Sequence, residues 1–141
     1  MKIRIFVVDD EKMITTMFED LFNDQEYEVI VAAEPTSCMV YNGQRCTHEY
    51  ACGDILFVDK DMPKMNGLDF IKHMGEKGCK GLTKNKVLMS GNISEQEERL
   101  AIELGCRVLH KPFPLSSVLA LVEEMKKSIP PERKLEPLSS L

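Results

Sequence analysis

The sequence predicts an α/β fold: a doubly wound parallel sheet of five strands with helices on both faces. Two observations carry this. Five short apolar runs alternate with segments of helical length, and such alternation builds parallel sheets through right-handed crossovers. Four of those runs also end on residues capable of phosphate chemistry. IRIFVV leads into Asp9 and Asp10, ILFV into Asp59, KVLM into Ser90, and RVLH into Lys111. In open parallel sheets, ligands bind outside the carboxyl ends of the strands, so the four endings point to one site.

Each element has its own signal. Residues 3–8 are a continuous, mostly β-branched run, as expected of a strand buried on both faces. Met13, Ile14, Met17, Phe18, Leu21 and Phe22 form one stripe of an amphipathic helix over about 11–24. Residues 28–33 read as the second strand. Pro35 can open a helix, which suggests a short helix over 35–42. Residues 43–53 have no clean period and read as a loop. The third strand is expected at 54–58, a third helix at about 67–77 and the fourth strand at 86–90. Ser94 and Glu97 have capping-box spacing, so a helix should begin there and end near Gly105. The fifth strand is expected at 107–110 and a last helix from Leu115 to about Ser128. Residues 129–141 carry three prolines and no period, and read as a flexible tail or linker after a 1–128 domain. The compact arrangement for such a chain is the flavodoxin-like strand order 2-1-3-4-5, which makes the first and third strands neighbours. Asp9, Asp10 and Asp59 would then lie side by side.

Composition narrows the class. The chain has 141 residues, 43% hydrophobic and 29% charged, which is ordinary for a globular domain able to bury its own core. A net charge of −5 argues against direct nucleic-acid binding, which needs clustered Lys and Arg. No apolar run approaches the length of a membrane span. The absence of a signal peptide pattern and an odd count of five cysteines lead to the expectation of a cytoplasmic protein with reduced thiols.

The charge of the constellation suggests its ligand. Two unit charges about 4 Å apart repel by roughly 4 kcal/mol at an effective dielectric near 20. Three aspartates against Lys111 leave a formal −2, which a divalent cation would neutralise. The donors are hard oxygens, so Mg²⁺ is expected, with positions left open for phosphoryl oxygens. A carboxylate can act as nucleophile to form an aspartyl-phosphate, and an ammonium and a hydroxyl can stabilise the transferred group. Taken singly, each residue has an ordinary reading: Asp9-Asp10 as a helix cap, Asp59 or Ser90 in a turn, Lys111 on the surface. Those readings leave unexplained why all sit at one end of the sheet.

The acidic pair Asp9-Asp10, the stretch DILFVDKDMPKMNGLDF (54–70), Ser90 after VLM, and Lys111-Pro112-Phe113 together resemble the receiver domain of two-component response regulators, the CheY-like superfamily. The spacing Asp-x-x-Met-Pro-x-x-x-Gly from Asp59 to Gly67 carries most of its specificity, and the resemblance covers about residues 1–128. It implies that Asp59 accepts a phosphoryl group from a phosphohistidine, and that Asp9 and Asp10 hold Mg²⁺, with Asp10 the direct ligand. It implies that the backbone carbonyl of Asp61 completes the metal site, that Ser90 and Lys111 engage the phosphate, and that the bond before Pro112 is cis. Asp61 and Asn92 are expected to tune how water reaches the phosphate. The implied partners are a sensor histidine kinase or a histidine phosphotransfer protein and a downstream protein. Such a domain is a phosphoacceptor rather than an enzyme, with self-phosphorylation from small donors and self-dephosphorylation expected. The implied output surface is that of the fourth helix, fifth strand and fifth helix.

The sequence departs from that pattern in three places. Val108 stands where the family's switch residue is often Tyr or Phe. The segment from about Cys38 to Gly53 is longer than usual and carries Cys38, Cys46 and Cys52. No output-domain pattern follows Ser128, so action by binding is expected. Two other readings compete. A haloacid-dehalogenase-type phosphatase would use Asp59-Lys60-Asp61, Ser90, Lys111 and Asp9-Asp10, but in a permuted order. A receiver-like scaffold would bind partners without phosphorylation. Cys46, His48 and Cys52 match zinc spacing only weakly, and Cys79 and Cys106 read as small buried residues. His73 and His110 read as surface or packing residues.

Overall fold

A computed structural model describes residues 2–81 and 85–141. Five strands form one parallel sheet in the order 2-1-3-4-5. They are β1 (Ile3–Val8), β2 (Tyr27–Ala32), β3 (Ile55–Asp59), β4 (Lys86–Ser90) and β5 (Cys106–His110). Four α-helices connect or follow them: α1 (Lys12–Leu21), α2 (Gly67–Glu76), α3 (Glu95–Glu103) and α4 (Leu115–Lys126). Among the described residues, no helix is long and apolar enough to cross a membrane.

Alternation along the strands divides the core in two. Ile3, Ile5 and Val7 of β1, Ile55 and Phe57 of β3, and Val87 and Met89 of β4 pack under α1 and α4 against Phe18, Val118, Val122 and Met125. The next residues along, Val8, Leu56, Val58 and Leu88, face the other way onto Leu68, Ile71 and Met74 of α2 and Ala101 of α3. β3 and β4 are buried along their whole length, as central strands covered on both faces must be. The expected capping box is present: Ser94 Oγ accepts from the Glu97 amide at 3.1 Å, and Glu97 Oε1 accepts from the Ser94 amide at 3.0 Å. Gly105 follows the end of α3 at φ +84°, a conformation that costs glycine least.

Two expectations need correction. Residues 35–42 are not a helix but a series of turns. The main-chain bonds there are scattered turn bonds, Cys38 amide to Pro35 carbonyl at 3.0 Å and Asn42 amide to the Cys38 and Met39 carbonyls at 3.2 and 3.1 Å, and the side-chain amide of Asn42 adds bonds to the Thr36 and Cys38 carbonyls at 2.8 and 3.0 Å. The segment still covers the sheet, because Val40 and Tyr41 are buried and the Tyr41 ring meets Phe70 edge-on. The segment 129–141, expected to be a flexible tail, is packed against the amino ends of the strands. Ile129 joins the core under α4, Leu135 bridges to Ala51, and the Glu136 carboxylate accepts from the Glu49 and Tyr50 amides.

A buried carboxylate anchors that packing. Asp54 accepts from the Arg4 amide at 2.9 Å and from Arg133 Nε and Nη2 at 2.8 and 2.6 Å. Arg4 in turn donates to the Cys52 and Glu136 carbonyls. Removing one partner of a buried pair leaves the other uncompensated. Asp54→Ala should therefore lower the unfolding free energy by about 2–4 kcal/mol, read by urea denaturation.

Candidate phosphoacceptor site

The carboxyl ends of β1, β3, β4 and β5 meet in one acidic cleft. Asp9 follows β1, Asp59 ends β3, Ser90 ends β4, and Lys111 follows β5. Because β1 and β3 are paired through Val8↔Val58, the residues that follow are adjacent. One carboxylate oxygen from each of Asp9, Asp10 and Asp59 lies within 4.8 Å of the others. Asp9 and Asp59 are buried while Asp10 is exposed.

Lys111 binds the cluster together. Its Nζ lies 2.7 Å from Asp9 Oδ2, 2.7 Å from Glu11 Oε1 and 3.4 Å from Asp59 Oδ1. Burial disfavours its charge, but hydrogen bonds to Asp9 and Glu11 and attraction to Asp59 outweigh this and raise its pKa. The lysine is therefore a fixed cation. Asp9 Oδ1 accepts from the Glu11 amide at 2.9 Å. Asp9 Oδ2 is buried, with the Lys111 ammonium as its close partner. Burial pushes the Asp59 carboxyl up to about 6, with repulsion from Asp9 adding to it, while Lys111 and the Asp61 amide pull it down.

These donors fit a hard divalent cation. Three carboxylates converge on one lysine, and burial together with repulsion from Asp9 holds one of them high. Both are relieved by positive charge.

The other residues singled out by sequence fall around the cleft. Ser90 is fully buried, and its Oγ accepts from the Asn92 amide at 3.0 Å, leaving its own hydrogen to donate. Asn92 and Asp61 are exposed at the rim. The Lys111–Pro112 bond is cis. Val108 is half-buried, paired with Leu88 and packed against the α2–α3 side of the core. His110 is exposed and pairs with Glu98 at 3.0 Å, and His73 is half-buried on α2.

Two participants escaped sequence reasoning. Glu11 supplies a third carboxylate to Lys111. Lys60 crosses from β3 to the loop before α3, where it donates to the Asn92 carbonyl and pairs with Glu97 at 3.1 Å. Nothing in the spacing of either marks it, because both contacts span long sequence separations. Gly67 shows why the Met-Pro-x-x-x-Gly spacing ends as it does. Its amide donates to the Lys60 carbonyl at 2.7 Å, and a Cβ there would collide with the Asp59 carbonyl.

Comparison with known proteins agrees with this fold. A family model described as the response regulator receiver domain matches residues 5–123. Among curated relatives, the chemotaxis protein CheY of Thermotoga maritima is 30% identical over 128 residues, covering 88% of this chain and 98% of the relative. CheY of Listeria monocytogenes is 28% identical over 129 residues, covering 89% and 99%. Among solved structures, the BeF3-activated DrrB receiver domain superposes with a TM-score of 0.69 at 19% identity, covering 90% of this chain and 99% of that one. The non-phosphorylated HemR receiver domain of Leptospira biflexa gives 0.69 at 20% identity, covering 93% and 99%.

Two predictions follow from the geometry. Gly67→Ala should destabilise the fold by about 1–3 kcal/mol, because overpacking against backbone cannot be relieved by a rotamer change; thermal unfolding measures it. Asp59 has a folded pKa near 6 against 3.8 unfolded. Between those values the folded state binds the extra proton, so stability falls as pH rises through this window and stays lower above it. Two pH units correspond to about 3 kcal/mol, reduced by solvent screening to about 1–2. Asp59→Asn should recover about that much at pH 7 and flatten the pH dependence of unfolding between roughly pH 4 and 6.

Proposed function

The chain belongs to the response regulator receiver domain family, the phosphoacceptor domains of two-component signalling, and from that premise we propose that Asp59 is the residue that carries the phosphoryl group. The observation that carries the reading is the placing of a buried carboxylate, its pKa raised by burial and by Asp9, 3.4 Å from a fixed ammonium, at the end of a strand flanked by Asp9 and Ser90. The donor is the phosphohistidine of a sensor histidine kinase or a histidine phosphotransfer protein. A carboxylate oxygen of Asp59 attacks phosphorus, the O–P bond forms, and the P–N bond breaks. The imidazole leaves with the electron pair and takes up a proton.

Asp10 and Asp59 would hold Mg²⁺ with the Asp61 carbonyl, while Asp9, already bound to Lys111 and the Glu11 amide, positions the pair. When bound, Mg²⁺ supplies positive charge that offsets the carboxylates and the phosphoryl oxygens. Lys111 meets one phosphoryl oxygen from the β5 side, and the Ser90 hydroxyl donates to another. Ser90 Oγ keeps the Asn92 amide as its donor while its own hydrogen turns to the phosphate, so a shift of Ser90 toward the phosphate pulls on that loop, which Lys60 links to α3 through the Asn92 carbonyl and Glu97. The aspartyl-phosphate therefore acts on the loop that carries α3. The α3–β5–α4 surface, with Ile102, Leu115 and Leu119 exposed, is the output face. Val108 at the aromatic switch position means that the signal travels through this loop rather than through a ring flip on β5. The protein acts from the cytoplasm by binding a downstream protein.

Incubation with acetyl phosphate and Mg²⁺ should add one phosphoryl group by intact mass. Chelation of Mg²⁺ or Asp59→Asn should abolish it; retained stoichiometry in Asp59→Asn would overturn the assignment. Substituting Asp61 or Asn92 should leave phosphorylation intact and change the lifetime of the aspartyl-phosphate several-fold. Unchanged decay in both variants would count against their tuning role.

A further inference from the structure

The irregular segment after β2 encloses something the phosphoacceptor site does not use. Between the sheet, the 33–53 segment and α2 lies a largely apolar cavity of about 180 Å³. Cys38, Cys46, Cys52 and Cys79 all line it, and so does His48. The fifth cysteine, Cys106, is buried at the start of β5 and is not part of the lining.

The thiols come from stretches that are distant in sequence but tied by the main chain. The Cys46 amide donates to the Lys77 carbonyl at 2.9 Å, two residues before Cys79, whose own amide is held by the Met74 carbonyl at 3.0 Å. The Cys52 carbonyl is fixed by Arg4 at 2.8 Å. His48 Nδ1 lies 3.3 Å from Cys52 Sγ. Burial raises the Cys52 thiol, and repulsion from Cys38, Cys79 and Cys46 raises it further, as expected of thiols lining one cavity. A single buried cysteine is a small hydrophobe. Four around one cavity, with an imidazole on one sulfur, under a segment with neither helix nor strand to hold it, are the donor set of a structural metal site.

We infer that Cys38, Cys46, Cys52 and Cys79 form a tetrathiolate site for one Zn²⁺-class ion, with His48 donating a hydrogen bond to the Cys52 sulfur. Binding forms four metal–sulfur bonds and releases four thiol protons to solvent, with no change of oxidation state. The bound site carries a formal −2, which the His48 N–H on Cys52 offsets in part. Among the described residues, only the aspartate cluster has its ligand atoms all within 4.8 Å. The thiols must therefore turn inward on coordination, so metal uptake closes the cavity and fastens the 33–53 segment to the turn after α2. Thiolate ligands select soft and borderline metals, which keeps this site chemically separate from the oxygen-lined cleft.

The test is a Co²⁺ titration of the full, reduced, metal-free chain in excess Mg²⁺. The expected result is saturation at one equivalent, with thiolate-to-metal charge transfer in the near-ultraviolet and intense tetrahedral bands in the visible, both removed by Zn²⁺. Cys52→Ser and Cys79→Ser should each weaken binding by at least about tenfold, while Cys106→Ser and Asp59→Asn leave it intact. Retention in Asp59→Asn separates this site from the phosphoacceptor reading. Absence of the charge-transfer band in the reduced native chain would overturn the inference, as would a band that survives Cys79→Ser. So would isolation of the four thiols as disulfides that take up no metal once reduced.

Discussion

One ammonium holds the carboxyl end of this sheet together. Lys111 lies between Asp9 and Asp59 and also takes Glu11, so a single cation faces carboxylates from three points in the chain. The arrangement is under-neutralised by design of the sequence: adding Asp10, the cleft holds more negative charge than Lys111 can balance. Two consequences share that cause. Repulsion from Asp9 adds to burial in holding Asp59 high, and the site favours an added divalent cation or a rearranged proton. The same imbalance that costs stability in the resting protein makes a binding site for the ion.

That interaction depends on strand order. Lys111 reaches Asp59 from β5 across β4, and Asp9 from the far side of β3, only because β1 and β3 pair directly and β4 and β5 follow in register. Fully buried central strands make the register unforgiving, since a one-residue slip would turn Ser90 and Asp59 to the opposite faces. Gly67 closes the arrangement from below by letting the chain return against the Asp59 carbonyl.

The opposite side and end of the molecule follow a different logic. The segment 33–53 covers the sheet without a helix and is held from outside. Arg4, Asp54, Arg133 and Glu136 join its end to the last residues of the chain, and the Cys46 amide joins it to the turn after α2. The four-cysteine cavity lies within this patchwork. One end of the sheet thus presents hard oxygen donors and one of its faces soft sulfur donors.

The five strands, the helices α1, α2, α3 and α4, and the residues Asp9, Asp10, Asp59, Ser90 and Lys111 were legible in the sequence, because strand burial, helical periodicity and capping are local patterns and because parallel topology brings strand ends together. Local pattern failed at Pro35–Asn42, where the chain forms turns tied by scattered main-chain and Asn42 side-chain bonds, and at 129–141, where prolines suggested a free tail but Arg133 and Glu136 dock it. Glu11 and Lys60 as partners in the cleft, and Cys79 beside Cys46 and Cys52, were decided by tertiary structure alone. The physical reason is the same for each. These contacts join residues far apart in the chain, and a single side chain or a single thiol leaves no periodicity behind it for the sequence to display.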